Sequence, residues 1–481
     1  MRQTEGGPPQ WLERAALESP HRPACRLQGG TRSFSELYIH LGRVTRRLRA
    51  AGLAGAQTLS VMSPRNHHLA LGAYLSVYAG VPYLPLNPDR GSALDALGQG
   101  SVEQILCAPQ DADRIPALRL RRPVSWLEYP DGPETARPAA LPARAVQLIV
   151  GTSGTGGAPQ WAMLTNGNLT AAVSASRQRI PLGPEDRWLT PLPLHHVGGL
   201  MVVFRCLEAR AMAVVQDHFS PGETREYLQG HGITHISLVP AMLAALLESF
   251  GHTRAPDSLR VALIGGGPLP RTLARRALSA GWPLYATYGM TETGSQVATR
   301  ALDTHWETSD MGPPLPGFEV GIHREKGTAD GTVGLVYVSG PAVMSGYLRR
   351  DGRLGAGLDP DHGFTTGDLG HVDANGHLHV LGRADELIVT GGENVHPGVV
   401  ERRIQDCPGV RGIAILGQAD EIWGQRLVAL FVGDITPAEL DVWCHRHLPA
   451  PWRPRRTLRV DRLPRNALGK LRRDRLTGLI P

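Results

Sequence analysis

Between residues 34 and 300 the chain alternates short apolar, strand-like runs with longer stretches of helical character. Residues 58–62, 147–150, 212–215, 235–239 and 261–264 read as strands, and 271–280 as one of the helices between them. Parallel neighbours need a crossover of a dozen or more residues, so this alternation dictates an α/β class with largely parallel sheets. With 481 residues the chain exceeds one ordinary domain and can bury a large core. The mainly apolar run 69–86 is nearly long enough to span a bilayer, but Gly72, Ser76, Gly80, Pro82 and Pro85 interrupt it. It reads as a buried helix, a turn and a strand, and no membrane span is expected.

From 331 to 380 the pattern changes to short strands with glycine turns, such as Asp373-Ala374-Asn375-Gly376, which indicates a β-rich subdomain. Residues 383–481 carry their own strands (412–416, 427–432) and a helix at 437–448, with Pro437 in its first turn. The expected division is therefore 1–382 and 383–481, the second unit being small and α+β. The Pro- and Ala-rich tract 129–144 reads as a surface connection. Glycine (57) and proline (39) are abundant without any period, so the chain is rich in turns rather than repetitive. Five scattered cysteines without a CxxC pair fit a reduced compartment, and a cytoplasmic location is expected.

The net charge of +6 is concentrated at one end: residues 452–475 hold nine arginines and one lysine against two aspartates. Such a segment suits small anionic ligands as well as nucleic acid, and no aromatic reading surface accompanies it. Of fifty basic residues only Lys326 and Lys470 are lysine. A lysine that escapes this preference suits a place needing a compact, mobile point charge.

Four blocks carry chemistry. Leu148-Ile149-Val150 runs into Gly151-Thr152-Ser153-Gly154-Thr155-Gly156-Gly157-Ala158-Pro159, a strand followed by a loop of glycines and hydroxyls that can wrap phosphate oxygens or form a solvated turn. Tyr285-Ala286-Thr287-Tyr288-Gly289-Met290-Thr291-Glu292-Thr293 offers a flat ring, a hydroxyl and a carboxylate for a hard cation such as Mg²⁺. Thr365-Thr366-Gly367-Asp368, Gly382-Arg383-Ala384-Asp385 and Gly391-Gly392-Glu393-Asn394 supply an acid for ribose hydroxyls and an arginine for phosphate. Arg465-Asn466-Ala467-Leu468-Gly469-Lys470 delivers the rare lysine.

In this order and at these separations the blocks resemble the adenylate-forming superfamily of acyl-CoA synthetases, luciferases and peptide-synthetase adenylation domains, over about residues 34–476. The runs at 191–199, 265–268, 287–296 and 391–397 are most similar to the o-succinylbenzoate-CoA ligase family of menaquinone biosynthesis. The resemblance implies a two-step reaction with ATP, Mg²⁺ and coenzyme A through an acyl-adenylate, and a mobile C-terminal domain. It places Thr152, Ser153, Gly154 and Thr155 on the β,γ-phosphates, Thr291 on the α-phosphate and Glu292 on the metal. Tyr288 would pack on adenine beside Gly265, Gly266 and Gly267, with Asp368 on the ribose and Arg383 close by. Lys470 would bridge the α-phosphate and the acyl oxygen, Asp385 would be the hinge, and Gly391 and Gly392 would line the pantetheine tunnel. His196 would line the acid pocket, with Thr293 and Ser295 as further donors and Gly294 adding to a flat floor.

Two departures stand out: Gln160 where the family usually has lysine, and Gly156 where it has Thr or Ser. Plainer readings exist for Asp385 (a turn residue), Glu292 (a solvated carboxylate at a helix start), Lys470 (an exposed loop lysine) and His195 (a structural histidine). His67, His68, His371 and His379 read as surface or turn residues, and no spacing indicates zinc. The competing functions are a synthetase for another fatty or aromatic acid, a non-catalytic nucleotide-binding homologue, and nucleic-acid binding through the C-terminal arginines. Oligomeric state is not legible in the sequence.

Overall fold

The computed structural model describes residues 7–52, 58–88, 104–108, 120–127, 141–152, 160–323, 333–348, 354–355, 357–359, 362–465, 469 and 471–480. Two eight-stranded sheets dominate. The first runs Ala298–Ala301, Leu284–Tyr288, Val261–Ile264, His235–Leu238, Arg187–Thr190, Met212–Val215, Pro23–Leu27, Gly30–Ser33, with the six inner strands parallel and antiparallel strands at both edges. In the second, Val146–Gly151, Tyr83–Leu86, Leu59–Met62, Gln104–Cys107 and Leu120–Pro123 are parallel neighbours. Trp161–Thr165, Gly346–Leu348 and Leu354–Gly355 extend that sheet antiparallel.

Helices lie between the sheets, and the largest apolar cluster joins them: Leu69, Ala73, Val77, Val173, Leu200 and Val203 pack against Val61, Tyr83 and Val150 on one side and Cys25 and Val215 on the other. A helix covered on both sides has no polar face, which is why all of Asn66–Ala79 is buried. Gly80, at φ +68°, ends it in the left-handed conformation, and the strand Tyr83–Leu86 follows, as the breakers in that run required. His67 and His68 are the exception to the reading from sequence. They are buried in this helix, where His67 Nδ1 lies 2.8 Å from both Asp217 carboxylate oxygens and His68 Nδ1 lies 2.8 Å from Ser63 Oγ. His379 is buried too, its ring stacked on His371 at 4.6 Å. Paired imidazoles are admitted to an interior that a lone polar group would destabilise.

Glu319–His323, Gly334–Ser339, Phe364–Val372 and Leu378–Arg383 form an antiparallel four-stranded sheet, the β-rich segment expected from its turns. Its last hairpin turns at Asp373, whose carboxylate accepts from the amides of Asn375 and His377. Beyond it a smaller α+β region contains a sheet of Glu393–Val395, Ile388–Thr390, Gly424–Gly433 and Val410–Asp420, with Arg456–Arg459 added parallel to the third of these. The helix Pro437–His447 packs there, begun by a reciprocal Thr436–Glu439 cap. The tract 129–144 falls mostly outside the described residues. No helix among the described residues is long and apolar enough to cross a membrane.

Candidate functional site

The carboxyl ends of the first sheet's parallel strands open onto a cavity of about 530 Å³, the place where open α/β sheets put their ligands. Leu192, Ser237, Leu238, Val239, Leu263 and Gly265 form the strand-end wall. Thr152 and Gln160 enter from the second sheet, and Phe364, Thr366, Asp368 and Arg383 from the four-stranded sheet. Three sheets that are far apart in sequence thus meet at one volume.

Asp368 and Arg383 sit opposite each other in antiparallel register. Arg383 Nη1 lies 3.6 Å from Asp368 Oδ1 and donates to the Thr366 carbonyl at 2.8 Å, while its Nε donates to Asp385 at 3.1 Å. Burial lowers the Arg383 pKa, but the Asp385, Asp368 and Glu386 carboxylates outweigh it and raise the net value. Gly367, at φ +74°, allows the close approach: a Cβ there would stand 2.7 Å from Arg383 Nη2. The Tyr288 hydroxyl donates to Asp368 Oδ2 at 2.7 Å, and burial together with that carboxylate holds the phenol well above its ordinary pKa.

Glu292 lies in the single turn Thr291–Thr293, and Gly289 permits the fold-back, because a Cβ there would stand 2.0 Å from the Ser295 carbonyl oxygen. The Glu292 side chain is buried rather than solvated, and Oε1 accepts from the Tyr347 hydroxyl at 2.7 Å. Burial and this carboxylate raise the Tyr347 pKa. Thr291 and Tyr347 also line the cavity. The Thr152 amide donates to the Gln160 carbonyl at 2.7 Å, which brings the strand ends Gly151 and Trp161 together. Its buried hydroxyl has no protein partner among the described residues, as expected of a donor kept for a ligand.

Of the residues singled out from sequence, Thr152, His196, Gly265, Gly266, Thr291, Glu292, Asp368 and Arg383 line the cavity together. Tyr288 does not line it and instead stands behind Asp368 as its anchor. Gly267 is exposed outside it, and Gly294 packs against Ala172. Thr293 is fully buried, its hydroxyl bonded to the Met290 carbonyl, so it faces inward and not toward the cavity. Gly391 and Gly392, at φ +58° and +82°, make the exposed turn between Ile388–Thr390 and Glu393–Val395, away from the cavity. Asp385 is exposed and bonded to Arg383. Ser153, Gly154, Thr155 and Lys470 lie outside the described residues. Gly469, the neighbour of Lys470 in the chain, sits at the rim: a Cβ there would be 3.1 Å from Ala241 and 3.6 Å from Val239, a wall residue.

Sequence reasoning missed Tyr347 and Ser237. Tyr347 meets Glu292 across fifty-five residues, and Ser237 is the third residue of His235–Leu238, a strand that reads as plain core. No local pattern announces either. Among the described residues no group of three or more His, Cys, Asp or Glu could hold a metal unaided. One carboxylate suits Mg²⁺, which keeps waters and is held mainly by substrate phosphates.

Residues 12–348 match the family described as AMP-binding enzyme, and residues 399–470 match the AMP-binding enzyme C-terminal domain. A 2-succinylbenzoate–CoA ligase of Bacillus cereus (strain AH820) is 32% identical over 98% of each chain. The structure of o-succinylbenzoate CoA synthetase (MenE) from Bacillus subtilis in complex with the acyl-adenylate intermediate OSB-AMP is similar over 97% of each chain, with 30% identity and a TM-score of 0.85. ATP-bound MatB from Rhodopseudomonas palustris is similar at 26% identity over 98% of each chain, with a TM-score of 0.87.

Proposed function

The chain belongs to the AMP-binding enzyme family, and from that premise we propose that it is the ligase that converts o-succinylbenzoate to its coenzyme A thioester through an acyl-adenylate, releasing AMP and pyrophosphate. The observation that carries this reading is the convergence of Thr152, Thr291, Glu292, Asp368 and Arg383 on one cavity, with Gly469 at its rim. These side chains form two chemical poles. Thr152, Thr291 and Glu292 form the phosphate end, and the Asp368–Arg383 pair forms the ribose end. His196, Gly265 and Gly266 line the same cavity, and His196 is assigned to the acid.

In the first step the acid's carboxylate attacks the α-phosphorus and pyrophosphate departs, so charge accumulates on the phosphoryl oxygens. Thr152, with Ser153, Gly154 and Thr155, donates to the β,γ-phosphates; Thr291 holds the α-phosphate; Lys470 bridges it to the acyl oxygen. Glu292 would hold Mg²⁺, whose charge neutralises the phosphates. Asp368, fixed by Tyr288 and Arg383, takes the ribose hydroxyls.

In the second step the coenzyme A thiol attacks the acyl carbon and AMP leaves, which requires Lys470 to withdraw. We place the domain division at 382/383 and the pivot at Asp385, so that rotation brings Gly391 and Gly392 to the pantetheine path. This is supported by the connectivity, since Leu378–Arg383 ends the four-stranded sheet and Ile388–Thr390 begins the next one. Asp385 is exposed in the short turn between them, its carboxylate bonded to Arg383, and the rotation would change its backbone angles.

We assign the enzyme to the cytoplasm and to small-molecule partners (the acid, ATP and coenzyme A) rather than nucleic acid. All five cysteines are buried free thiols. Several C-terminal arginines are engaged within the chain: Arg473 binds Glu386 and Glu401, Arg472 binds Asp474 at the surface, and Arg455 stacks over Trp423. With o-succinylbenzoate and ATP but no coenzyme A, the enzyme should release pyrophosphate in an amount close to its own; adding coenzyme A should give continuous turnover and a thioester detectable by mass. Turnover to free acid without a thioester would refute the ligase reading.

A further inference from the structure

The turn that carries the proposed pivot bears two neighbouring carboxylates, and each is held by an arginine from a different part of the chain. Asp385 is paired with Arg383, which lines the cavity. Glu386 is paired with Arg473, which stands three residues beyond Lys470. The first pair lies at the nucleotide end of the site. The second joins the hinge turn Ala384–Glu386 to the segment that delivers the lysine.

Arg473 uses its whole guanidinium in this place. Nε lies 2.8 Å from Glu386 Oε2, Nη2 lies 2.9 Å from both carboxylate oxygens of Glu401, and Nη1 donates to the Ile415 carbonyl at 2.8 Å. Glu401 belongs to the helix Pro397–Ile404 and Ile415 to the strand Val410–Asp420, so one side chain ties the C-terminal segment to a helix, a strand and the hinge turn. Glu401 is fixed in its turn, since Oε1 also accepts from the Ile415 amide at 2.7 Å. Burial lowers the Arg473 pKa, but the Glu401 and Glu386 carboxylates outweigh it and raise the net value, so the fork stays charged. A planar fork that meets two carboxylates and a carbonyl fixes direction as well as distance, which a lysine ammonium could not.

The segment before Arg473 is closed at its base. Arg465 and Leu471 pair as an antiparallel bridge, the Arg472 amide donates to the Pro464 carbonyl at 2.8 Å, and Arg465 Nη1 donates to the Gly469 carbonyl at 2.8 Å. After Arg473, Leu476 is buried in a cluster with Ala414, Val428 and Leu430. Gly469 faces Ala241 and Val239 at the cavity rim. The clamp at Arg473 thus stands between a tail locked into the core and a loop that touches the cavity. Any tilt of that base is passed along the chain to residue 470.

We propose that Arg473 is a positioning residue for the adenylation step: its bonds to Glu386 and Glu401 fix the base of the Lys470 segment on the hinge turn, so that the lysine and the pivot move as one unit. This assignment rests on the reading of Lys470 as the first-step cation and of Asp385 as the pivot. It adds Glu386, the pivot's neighbour, to the parts that aim the lysine.

The test measures the two half-reactions apart: the first turnover of pyrophosphate release from ATP and o-succinylbenzoate without coenzyme A, and thioester formation from synthetic acyl-adenylate with coenzyme A. Arg473→Gln, Arg473→Lys, Glu386→Gln and the double variant Arg473→Gln/Glu386→Gln are compared with wild type and Lys470→Ala. Misaiming a catalytic charge should slow adenylation by Arg473→Gln about 10- to 100-fold at saturating ATP and acid. The half-saturating ATP concentration and the rate of thioester formation should both stay within about twofold of wild type, because Lys470 serves only the first step. Arg473→Lys, which keeps the charge without the fork, should regain part of the rate. Glu386→Gln should slow the same step, and the double variant should be no slower than Arg473→Gln alone, the non-additivity of partners. If Arg473→Gln does not fold, judged by its melting curve, Arg473→Lys and Glu386→Gln carry the comparison. Equal losses in both half-reactions, or no loss in adenylation, would reduce Arg473 to a fold anchor and overturn the assignment, and so would normal adenylation in Glu386→Gln. Undiminished adenylation in Lys470→Ala would instead overturn the reading of the lysine, and this assignment with it.

Discussion

Replacing Gly367 by alanine probes the nucleotide end of the cavity through its geometry alone, without touching a charged group. The residue sits at φ +74°, where a β-carbon costs about 1–2 kcal/mol. The added Cβ would also stand 2.7 Å from Arg383 Nη2, well inside contact distance, so the guanidinium must shift. That shift weakens its 2.8 Å bond to the Thr366 carbonyl and its approach to Asp368 at 3.6 Å. A hydrogen bond from a charged donor is worth about 1.5–3 kcal/mol, and one pKa-sized step of 1.36 kcal/mol is tenfold. The strain falls on stability, and the displaced arginine falls on the ribose site. KM for ATP should therefore rise about 10- to 100-fold, while KM for the acid changes little. Initial rates of pyrophosphate release against ATP concentration, at saturating acid, give the number, with a melting curve confirming that the variant is folded. A folded Gly367→Ala enzyme whose ATP KM stays within twofold of wild type would refute the coupling of Gly367, Arg383 and Asp368.

Lys470→Ala should abolish adenylation, at a cost of about 3 kcal/mol or more, yet leave thioester formation from synthetic acyl-adenylate largely intact; equal losses in both half-reactions would contradict its role. Asp385→Pro, by fixing φ near −65°, should spare adenylation and collapse thioester formation, and normal rates in both would remove Asp385 as the pivot. Burial holds the His40 and His235 imidazoles down to about 4, so between pH 6.5 and 4 the unfolded chain binds protons that the folded one does not. Stability from these two groups should be complete above pH 6.5 and fall as pH drops toward 4, by at most about 3 kcal/mol each. Urea unfolding at several pH values reads this, and an unfolding free energy that does not decline across that window would contradict it.

The strands Met212–Val215 and Val261–Ile264 are legible to the residue because each is a short apolar run that ends at a polar residue or glycine, and a parallel strand buried on both faces favours such runs. Helix and strand limits elsewhere shift by a residue or several, as with Val410–Asp420, because a long hairpin continues through residues with no apolar pattern. The chemical blocks are legible for a different reason: glycine-rich loops and their hydroxyl, acid and arginine partners are contiguous in sequence. What sequence cannot show is which side of such a block faces the ligand. Thr293 and Gly267 stand within blocks that reach the cavity, yet the backbone turns one inward and the other out to solvent. Contacts such as Tyr347 with Glu292 and Trp188 with Ser237 join residues far apart in sequence, and only folding pairs them.

The central claim, that this cavity activates a short aromatic diacid, is tested most directly by kcat/KM for o-succinylbenzoate, benzoate and octanoate in the presence of ATP, Mg²⁺ and coenzyme A. A site furnished with His196, Ser237 and Ser295 beside Gly265 and Gly266 pays for an alkyl chain in unpaired polar groups, about 1–3 kcal/mol each. The account predicts a preference for o-succinylbenzoate of about 100-fold or more, eroded by His196→Ala more than ATP binding is. Octanoate or benzoate turning over as fast as o-succinylbenzoate would contradict it.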